Sequence, residues 1–544
     1  SDSLSATRKI MEVDLLYVLT AVSVVGFLYY LLTKNNGYFH NKPIPSMAVK
    51  PIVGSAADLY LKKCSFSEYI ERAYNKFAGV KVFGLFDANI PMFVIREPEL
   101  IKQIGVKDFE HFMDHRPIFG TDTDHPDILF PKSLFALTDQ KWKNMRATLS
   151  PAFTGSKMRQ MFDLVVECSE NMVKFYQNEV RTKGGSQEYE MKDVFSRFTN
   201  DVIATCAFGI KVDSSRDQDN EFYQQGKRMM QFGRFNVILR TFGYRFVPSV
   251  MDKLGIDIID KEQNTYFATL IRDAVKTRES HGIVRPDMVN LLIEARKGTL
   301  KYQHENEQNE GFATVLESDV GKAQVMKSMS ESEMIAQCLI FFLAGFDTVS
   351  TCLTFLAYEL TMNPEAQDKL YEEIMEMKRS LNGKPLTYDA LQKMKYMDMA
   401  VTESLRMWPP VPAVDRLCVR DYVLDDGEGL KFTIEKGTGV WFPVQGVHHD
   451  PKFYPNPKKF MPERFSDENK ASINPDAYLP FGVGPRNCIG SRFALMEVKA
   501  IVYYMLMNFS FEKTSNTQVP LQLKTGLTMS PQKGVYVNFK PRKV

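Results

Sequence analysis

The sequence predicts a mainly α-helical fold with small β-sheets at its periphery (α+β). Five segments place apolar residues about 3.6 positions apart, the pattern of a helix that buries one face. These segments are 193–208, 266–279, 330–360, 364–377 and 396–408. Runs with alternating or β-branched residues are fewer and shorter, at 79–85, 92–95, 437–442 and 534–539. Because helices dominate and the strands are short, we expect sheets only at the edges.

One large domain is expected over residues 57–544. The length of 544 residues alone would suggest three or four domains. However, the chemistry-bearing motifs are spread from Trp142 to Gly490 and would have to meet at one site. The net charge is only +2, which gives no bulk preference for nucleic acid. Seven irregularly spaced cysteines form no disulfide framework, and this favours a reducing compartment.

The N-terminal region predicts a membrane anchor over residues 13–33, preceded by an extension, residues 1–12. Eighteen residues from Leu15 to Leu32 carry no charge, which is close to the roughly 20 residues that cross a bilayer. A cleaved signal peptide is less consistent, because the run is long and no small-x-small site follows. A soluble core helix is less consistent still, since no polar face is present.

Residues 34–56 follow as a proline-rich hinge. Lys42-Pro43-Ile44-Pro45 stands near its middle, and proline stiffens a chain and prevents a helix from continuing.

Two polar or charged stretches allow only broad predictions. Residues 227–250 alternate basic and aromatic side chains without an acidic residue. Such a stretch suits an anionic lipid surface, but a partly buried helix pair with solvated cations explains it equally well. Residues 297–327 are polar, and we expect a surface loop there.

An apolar helical run contains small and polar residues at 344–348. The sequence there is Ala-Gly-Phe-Asp-Thr, and Gly345 costs about 1 kcal/mol in a helix interior relative to alanine. Ala344 and Thr348 are four apart and share one face. The Thr348 hydroxyl is able to bond back to a carbonyl and open the helix there. The pattern suits a ligand pressed against the helix.

An acid–base pair precedes a predicted helix end. Glu403 and Arg406 lie one turn apart on one face, before Trp408-Pro409-Pro410, where the helix must stop. Such a pair alone is weak evidence, because surface helices contain many.

The decapeptide 481–490 is the most informative stretch, Phe-Gly-Val-Gly-Pro-Arg-Asn-Cys-Ile-Gly. Its glycines and proline favour a tight loop around Cys488, and a helical pattern follows. Backbone N–H groups and a helix N-terminus stabilise a thiolate, and Arg486 is predicted to supply a cation there. A zinc site or disulfide fits poorly, because no second cysteine lies near.

These motifs resemble those of the cytochrome P-450 superfamily, the haem-thiolate monooxygenases. The matching patterns are Phe481-x-x-Gly-x-Arg-x-Cys-x-Gly, the 344–348 run, Glu403-x-x-Arg406, and Phe460 to Phe465 with Arg464. One departure is Val349, where many members carry a hydroxyl residue. The resemblance covers the chain from Leu15 onward and is greatest to insect microsomal members related to vertebrate drug-metabolising ones.

The resemblance implies a role for each motif. Cys488 is the axial ligand of a haem b iron, Thr348 and Asp347 deliver protons during dioxygen activation, and Glu403, Arg406 and Arg464 form a structural cluster. Residues implied to contact the haem are Trp142, Arg146, Arg416, Arg486 and Phe481. Residues implied to line an apolar substrate pocket are Phe119, Phe130, Phe135, Phe342, Ala344, Val411, Ala413, Val414 and Thr528.

The implied activity is hydroxylation of hydrophobic small molecules, such as insecticides or plant toxins, with dioxygen as co-substrate. Because no Gly-x-Gly-x-x-Gly fingerprint is present, NADPH-derived electrons would come from a flavoprotein reductase, with cytochrome b5 as a further partner. The implied location is the endoplasmic reticulum membrane, with the catalytic domain facing the cytosol. The alternatives are a hydroxylase of hormones, lipids or sterols, an oxygen-independent haem-thiolate isomerase, and a non-catalytic carrier.

Overall fold

The computed structural model describes residues 2–50, 53–118, 120, 125, 128–231, 234–300, 311–315, 317–322, 329–526 and 529–542. Its helices are α1 Asp2–Thr33, α2 Ala57–Tyr60, α3 Phe66–Lys76, α4 Pro98–Lys102, α5 Asp139–Leu149, α6 Gly155–Thr182, α7 Met191–Ile203, α8 Glu221–Met229, α9 Phe235–Phe246 and α10 Pro248–Lys253. They continue with α11 Lys261–His281, α12 Met288–Arg296, α13 Asp319–Lys322, α14 Glu331–Met362, α15 Pro364–Ser380, α16 Tyr388–Gln392, α17 Lys395–Met407, α18 Val444–His448 and α19 Ser491–Asn508.

Short strands form three small sheets beside these helices. The strands are β1 Val82–Asp87, β2 Ile90–Ile95, β3 Gln187–Glu190, β4 Val414–Leu417, β5 Tyr422–Asp425, β6 Lys431–Ile434, β7 Gly439–Phe442, β8 Phe509–Lys513 and β9 Tyr536–Pro541. The largest sheet has the order β1-β2-β7-β4, in which only β2 and β7 pair in parallel. The other sheets are β3-β9-β8 and β5-β6. The predicted mainly α fold with small sheets is therefore confirmed.

The core is built around α14, which crosses the middle of the main hydrophobic cluster. This helix packs against α7, α17 and α19, and it begins with a capping box in which Ser330 and Glu333 bond reciprocally. Among the described residues it is also the helix that is long and apolar enough to cross a membrane. However, two-thirds of its apolar stretch is buried inside the body. An apolar composition of this kind is expected of a core helix.

The N-terminal region forms a long helix followed by an ordered linker. In α1 the described large apolar side chains between Leu15 and Tyr30 are exposed, and the stretch Tyr17–Phe27 is apolar. The membrane anchor stays a prediction. The linker packs on the sheet: the N–H of Gly84 donates to Pro45 O at 2.8 Å, and Phe39 is buried against Phe86.

Most of the cationic side chains in the basic-aromatic stretch form ion pairs with carboxylates of the protein itself. Arg234 and Arg240 both pair with Asp260, at 2.9 and 2.7 Å, and Arg245 pairs with Asp87 at 3.1 Å. The partly buried helix pair therefore accounts for these three arginines.

Candidate active site

The loop before α19 is shaped by its backbone. The N–H of Cys488 donates to Phe481 O at 2.8 Å and closes the loop on itself. Gly484 has φ +69°, and a Cβ there would lie 1.8 Å from Gly105 O, so only glycine fits this position. α19 begins at Ser491, three residues after the cysteine. The predicted tight loop and following helix are thus both present.

Cys488 is the exposed member of the seven cysteines, all of which the structure describes. Burial of the loop nevertheless raises the pKa of its thiol. The backbone N–H of Gly490 and the Arg146 guanidinium act in the opposite direction and lower this pKa. The loop therefore presents an accessible sulfur together with a donor and a cation that favour its thiolate form.

The cation beside this sulfur is not the one predicted from the sequence. Arg486 turns away from Cys488: its Nε donates to Met113 O and its Nη2 to Leu137 O, both at 2.7 Å. Its guanidinium also lies 4.1 Å from the centre of the Trp142 ring. The expectation that Arg486 supplies the cation at the thiolate is wrong, because its guanidinium donates to carbonyl groups of residues far away in the sequence.

Arg486 instead forms a pair of buried cations with Arg416. Arg416 is fully buried and donates to Asp415 O and Val483 O, while its Nε has no hydrogen-bond partner among the described residues. Burial lowers the pKa of Arg416 to about 10. Burial, opposed by Asp114 and reinforced by Arg416, lowers that of Arg486 to about 9. Such shifts mark positive charge that lacks enough counter-charge.

The nearby carboxylates are already used by other groups. Asp415 accepts from the Nδ1 of His115 at 2.9 Å and from the backbone N–H of Arg116 at 2.9 Å. The contact of Asp114 with Arg486 is long, at 3.3 Å. A ligand with carboxylate groups would supply the missing negative charge, since guanidinium binds carboxylates in a bidentate way.

α5 places Trp142 and Arg146 one turn apart, as the sequence predicts, but against different partners. Trp142 is buried below the Arg486 guanidinium. Arg146 donates to Asn487 O at 2.8 Å and pairs with Glu317 at 2.8 Å. Trp142 therefore borders the cation pair, whereas Arg146 lies against the backbone next to Cys488.

α14 is an unbroken α-helix from Glu331 to Met362, so the predicted local opening at 344–348 is not present, although the predicted back-bond of Thr348 is. The hydroxyl of Thr348 donates to Ala344 O at 2.6 Å, and Ala344 is exposed although most of this helix is buried. The face that contains Ala344 and Thr348 is therefore accessible, although most of this helix is packed. Gly345 lies against α7 and not against the predicted ligand. A Cβ at this position would lie 2.2 Å from Ile203 Cδ1 of α7.

Asp347 is held by a lysine from a neighbouring helix. The ammonium of Lys192, at the start of α7, lies 2.9 Å from Asp347 Oδ1 and also donates to Ser350 and Thr351. The Asp347 side chain is about one-third exposed. The acid is thus paired at one oxygen and retains access to solvent, as a proton-conducting group requires.

The structural cluster assembles as predicted. The Nε and Nη2 of Arg406 donate to the two oxygens of Glu403 at 2.6 and 2.9 Å, and both side chains are completely buried. Arg464 adds a longer contact to Glu403, at 3.4 Å. Further donors of Arg406 bind the carbonyls of His448 and Pro457. Every guanidinium nitrogen of Arg406 therefore has a partner.

His448 connects this cluster to the cysteine loop. Its Nδ1 lies 3.0 Å from Arg406 O, and its Nε2 accepts from the N–H of Leu479 at 2.8 Å. Because Nε2 is an acceptor, the ring is neutral and its proton sits on Nδ1. Leu479 O in turn accepts from Gly482 N in the loop. This link could not be predicted from the sequence, because its partners lie far apart in the chain.

The predicted substrate pocket is only partly supported. Phe119 and Thr528 lie outside the described residues. Phe342 is completely buried among other rings and therefore belongs to the core, which corrects its assignment; its neighbours are Phe208, Phe222, Phe267 and Phe346. The other candidates offer apolar surface: Phe135 is 39% exposed, Val411 46%, and Ala344, Ala413 and Val414 are at least partly exposed. Phe130 is almost buried.

Three residues near the site were missed from the sequence: His115, Lys192 and Glu317. His115 packs its ring on Phe135 with centres 4.8 Å apart. Each of them bonds to a partner more than 150 positions away in the chain. No local spacing in the sequence could therefore predict its role.

An accessible cysteine in a loop, a core helix with an accessible Ala344 and a buried pair of cations with too little counter-charge are together typical of a haem-thiolate protein. A sequence model of the Cytochrome P450 family matches residues 44–539, and the chain belongs to this family. It is 42% identical to Cytochrome P450 9e2 of Blattella germanica over 98% of this chain and 99% of that one. It is 41% identical to Probable cytochrome P450 9f2 of Drosophila melanogaster (97% and 99%) and 35% identical to Cytochrome P450 3A2 of Rattus norvegicus (97% and 96%).

Membership of the Cytochrome P450 family establishes the enzyme class and the cofactor of this protein. The protein is a monooxygenase that uses thiolate-ligated haem, dioxygen and NADPH-derived electrons, with a redox partner and a hydrophobic substrate. The residues fit that group: haem brings two carboxylates and an iron, and the site offers Arg416 and Arg486 with a deficit of negative charge and an accessible sulfur at Cys488.

Proposed function

We propose that this protein hydroxylates a broad range of hydrophobic foreign compounds, such as insecticides and plant toxins. In this proposal an NADPH-dependent flavoprotein reductase, assisted by cytochrome b5, supplies the electrons. The anchor over residues 13–33 holds the protein on the endoplasmic reticulum membrane, with the catalytic body in the cytosol.

The observation that carries the proposal is the accessible apolar surface of three predicted pocket residues, one of which lies on α14. Ala344, Phe135 and Val411 all offer accessible apolar atoms. An apolar pocket separates substrates weakly, about 10- to 200-fold for one methylene, whereas a pocket with buried polar groups rejects analogues far more strongly. Broad acceptance of lipophilic compounds follows from such a surface.

The site residues have separate tasks. Bound haem supplies the redox chemistry, and electron donation by its thiolate ligand favours cleavage of the O–O bond. Cys488 would provide that ligand, and Arg416, whose Nε has no hydrogen-bond partner among the described residues, would bind a porphyrin carboxylate, with the positive charge of Arg486 nearby. The Thr348 hydroxyl and the Asp347 carboxylate hold and transfer protons, with Lys192 fixing the position of Asp347. The apolar side chains bind substrate and exclude water, which protects the reaction from proton leakage.

Turnover in a reconstituted system tests this proposal. Full-length protein with reductase, NADPH and isotopically labelled dioxygen should oxidise many members of a lipophilic panel, each product gaining one labelled oxygen atom by mass spectrometry. Turnover of a single steroid or fatty acid class would favour the endogenous hydroxylase, and turnover without reductase would favour the isomerase.

Replacement of the proton-transferring hydroxyl checks the assignment of Thr348. Thr348→Val keeps the side-chain volume but removes the group that bonds Ala344 O. We expect the product formed per NADPH to fall by about 100-fold, at the lower end of the usual range for a lost general acid, while NADPH consumption continues. Thr354→Val on the same helix is the matched control, because Thr354 is buried and, within the described part of the chain, its hydroxyl bonds only to Ser350 O. Unchanged coupling in Thr348→Val would exclude the assigned role.

A further inference from the structure

A segment that precedes α14 lies against the cysteine loop. We define the covering segment as residues 311–315 and 317–322, which contains α13. It packs on α5 and on the turn Gly484–Arg486. At one end the N–H of Phe312 donates to Asp398 Oδ2 at 3.0 Å, and its ring packs 4.9 Å from that of Phe465. The segment is therefore fixed to the body at this end by a hydrogen bond and a ring contact.

Its second attachment is a buried ion pair. The Nε and Nη2 of Arg146 donate to Glu317 at 3.2, 2.9 and 2.8 Å, and Ser150 Oγ donates to the same carboxylate at 3.0 Å. The Arg146 and Glu317 side chains are only 3% and 8% exposed. A buried pair with such geometry is costly to break from one side, because the remaining charge loses its partner.

The pair continues directly into the backbone of the cysteine loop. The remaining Arg146 donors bind Asn487 O and Asn487 Oδ1, both at 2.8 Å, and Asn487 is the residue before Cys488. Glu317 and Val315 also border, together with Cys488, a cavity of about 10 Å³, which is the space that one water molecule needs. Two hydrogen-bonded steps thus connect a carboxylate of the covering segment to the iron ligand.

We propose that Glu317 is a positioning residue for the thiolate. It fixes Arg146 against Asn487, and its negative charge offsets that of Arg146 beside the sulfur. Hydrogen bonding and charge around an axial ligand tune the reduction potential of haem iron. Glu317 therefore sets both the hold on the loop and the potential of the haem. This inference rests on the haem-thiolate centre and not on the identity of the substrate.

The test measures the haem reduction potential of the holoprotein with Glu317→Gln. Loss of a negative charge near the iron disfavours the ferric form, so the potential should rise. We expect at least a threefold change in the ferric-to-ferrous ratio at a fixed potential, where tenfold corresponds to about 59 mV for one electron. The thiolate-type Soret band of the ferrous carbon monoxide complex should also decay at least threefold faster on warming.

Two further variants keep the test decisive. Asp319→Asn removes one negative charge from an exposed position of the same segment and should leave both readouts unchanged. Glu317→Asp keeps the charge but shortens the side chain, and it should shift both the reduction potential and the decay rate in the same direction by a smaller amount. If Glu317→Gln takes up no haem, Glu317→Asp replaces it in both measurements. A wild-type potential and decay rate in both Glu317 variants, or an equal shift in Asp319→Asn, would overturn the proposal.

Discussion

Two groups of buried arginines differ in how their charge is compensated. In the cluster of Glu403, Arg406 and Arg464, every nitrogen of Arg406 finds an acceptor and the carboxylate lies within 2.9 Å. In the pair of Arg416 and Arg486, one buried nitrogen has no partner among the described residues, and both pKa values are lowered. Full compensation indicates a part of the scaffold, whereas a deficit of negative charge indicates a ligand that brings it. The first group should therefore matter to the apoprotein and the second only to the holoprotein.

The largest effect is expected for Arg406→Ala. The substitution leaves Glu403 buried without its main partner, which typically costs about 3–5 kcal/mol. The link through His448 to the cysteine loop is lost with it. We expect almost no haem-loaded protein, measured as haem per purified protein. Lys369→Ala, which removes an exposed ion pair with Glu463, should load normally. Normal haem content in Arg406→Ala would contradict the scaffold role.

Arg416→Gln should have the opposite profile. A charge-assisted hydrogen bond to a haem carboxylate contributes about 1.5–3 kcal/mol, so the rate of haem transfer to apomyoglobin should rise about tenfold to a hundredfold. The melting temperature of the apoprotein should not fall, because a buried cation without sufficient counter-charge stabilises nothing. A destabilised apoprotein with normal haem retention would reverse the comparison.

His448 gives the scaffold cluster a pH dependence. Burial, with Arg406 and His449 nearby, holds the pKa of His448 well below its ordinary 6.5. Below pH 6.5 the unfolded chain binds a proton that the folded chain does not. The free energy of unfolding therefore has its full value above this pH and falls as the pH drops below it, by at most about 1.4 kcal/mol per pH unit.

The variant that checks this dependence is His448→Gln, which cannot titrate. It should be less stable at pH 7.5 but lose less stability between pH 6.5 and 5.5, measured by denaturant unfolding. His281→Gln, at an exposed position on α11, should keep the slope of the unaltered protein. Equal slopes for His448→Gln and the unaltered protein would show that His448 is not the group involved.

The smallest effect should come from Arg464→Lys. Its contact with Glu403 is long, at 3.4 Å, and its shorter bond is to Pro455 O at 2.9 Å. A lysine can replace one of these contacts, so we expect a loss of about 1 kcal/mol in denaturant unfolding and nearly normal haem content. A loss as large as that of Arg406→Ala would show that both arginines carry the cluster equally.

Local sequence rules predicted the elements well where periodicity was strong. The predicted helix at 330–360 is Glu331–Met362, and the one at 396–408 is Lys395–Met407. The strand predicted at 79–85 is displaced to Val82–Asp87, because Gly79 adopts a positive φ of 87° that suits a turn. The segment 193–208 becomes α7 followed by a π-helical turn at Ala204–Phe208.

Long-range partners were beyond the reach of the sequence. The position of Cys488 in its loop was readable from ten residues, but the direction of Arg486 was not, since its carbonyl acceptors come from residues near 113 and 137. Gly345 was interpreted as room for a ligand, whereas in the fold a Cβ there would lie 2.2 Å from the end of the Ile203 side chain on another helix, which would have to shift. Spacing rules report which side chains share a face, and only the packing of the chain decides what that face meets.

The unequal exposure of the seven sulfhydryls offers a practical chemical handle. Only Cys488 is exposed, Cys168 is half-buried, and the other five are buried. An alkylating reagent added to the apoprotein should therefore mark a single position, and ligation of that sulfur to iron should shield it. The extent of labelling then measures the fraction of molecules without cofactor, so that cofactor loading can be followed in a crude extract without a spectrum.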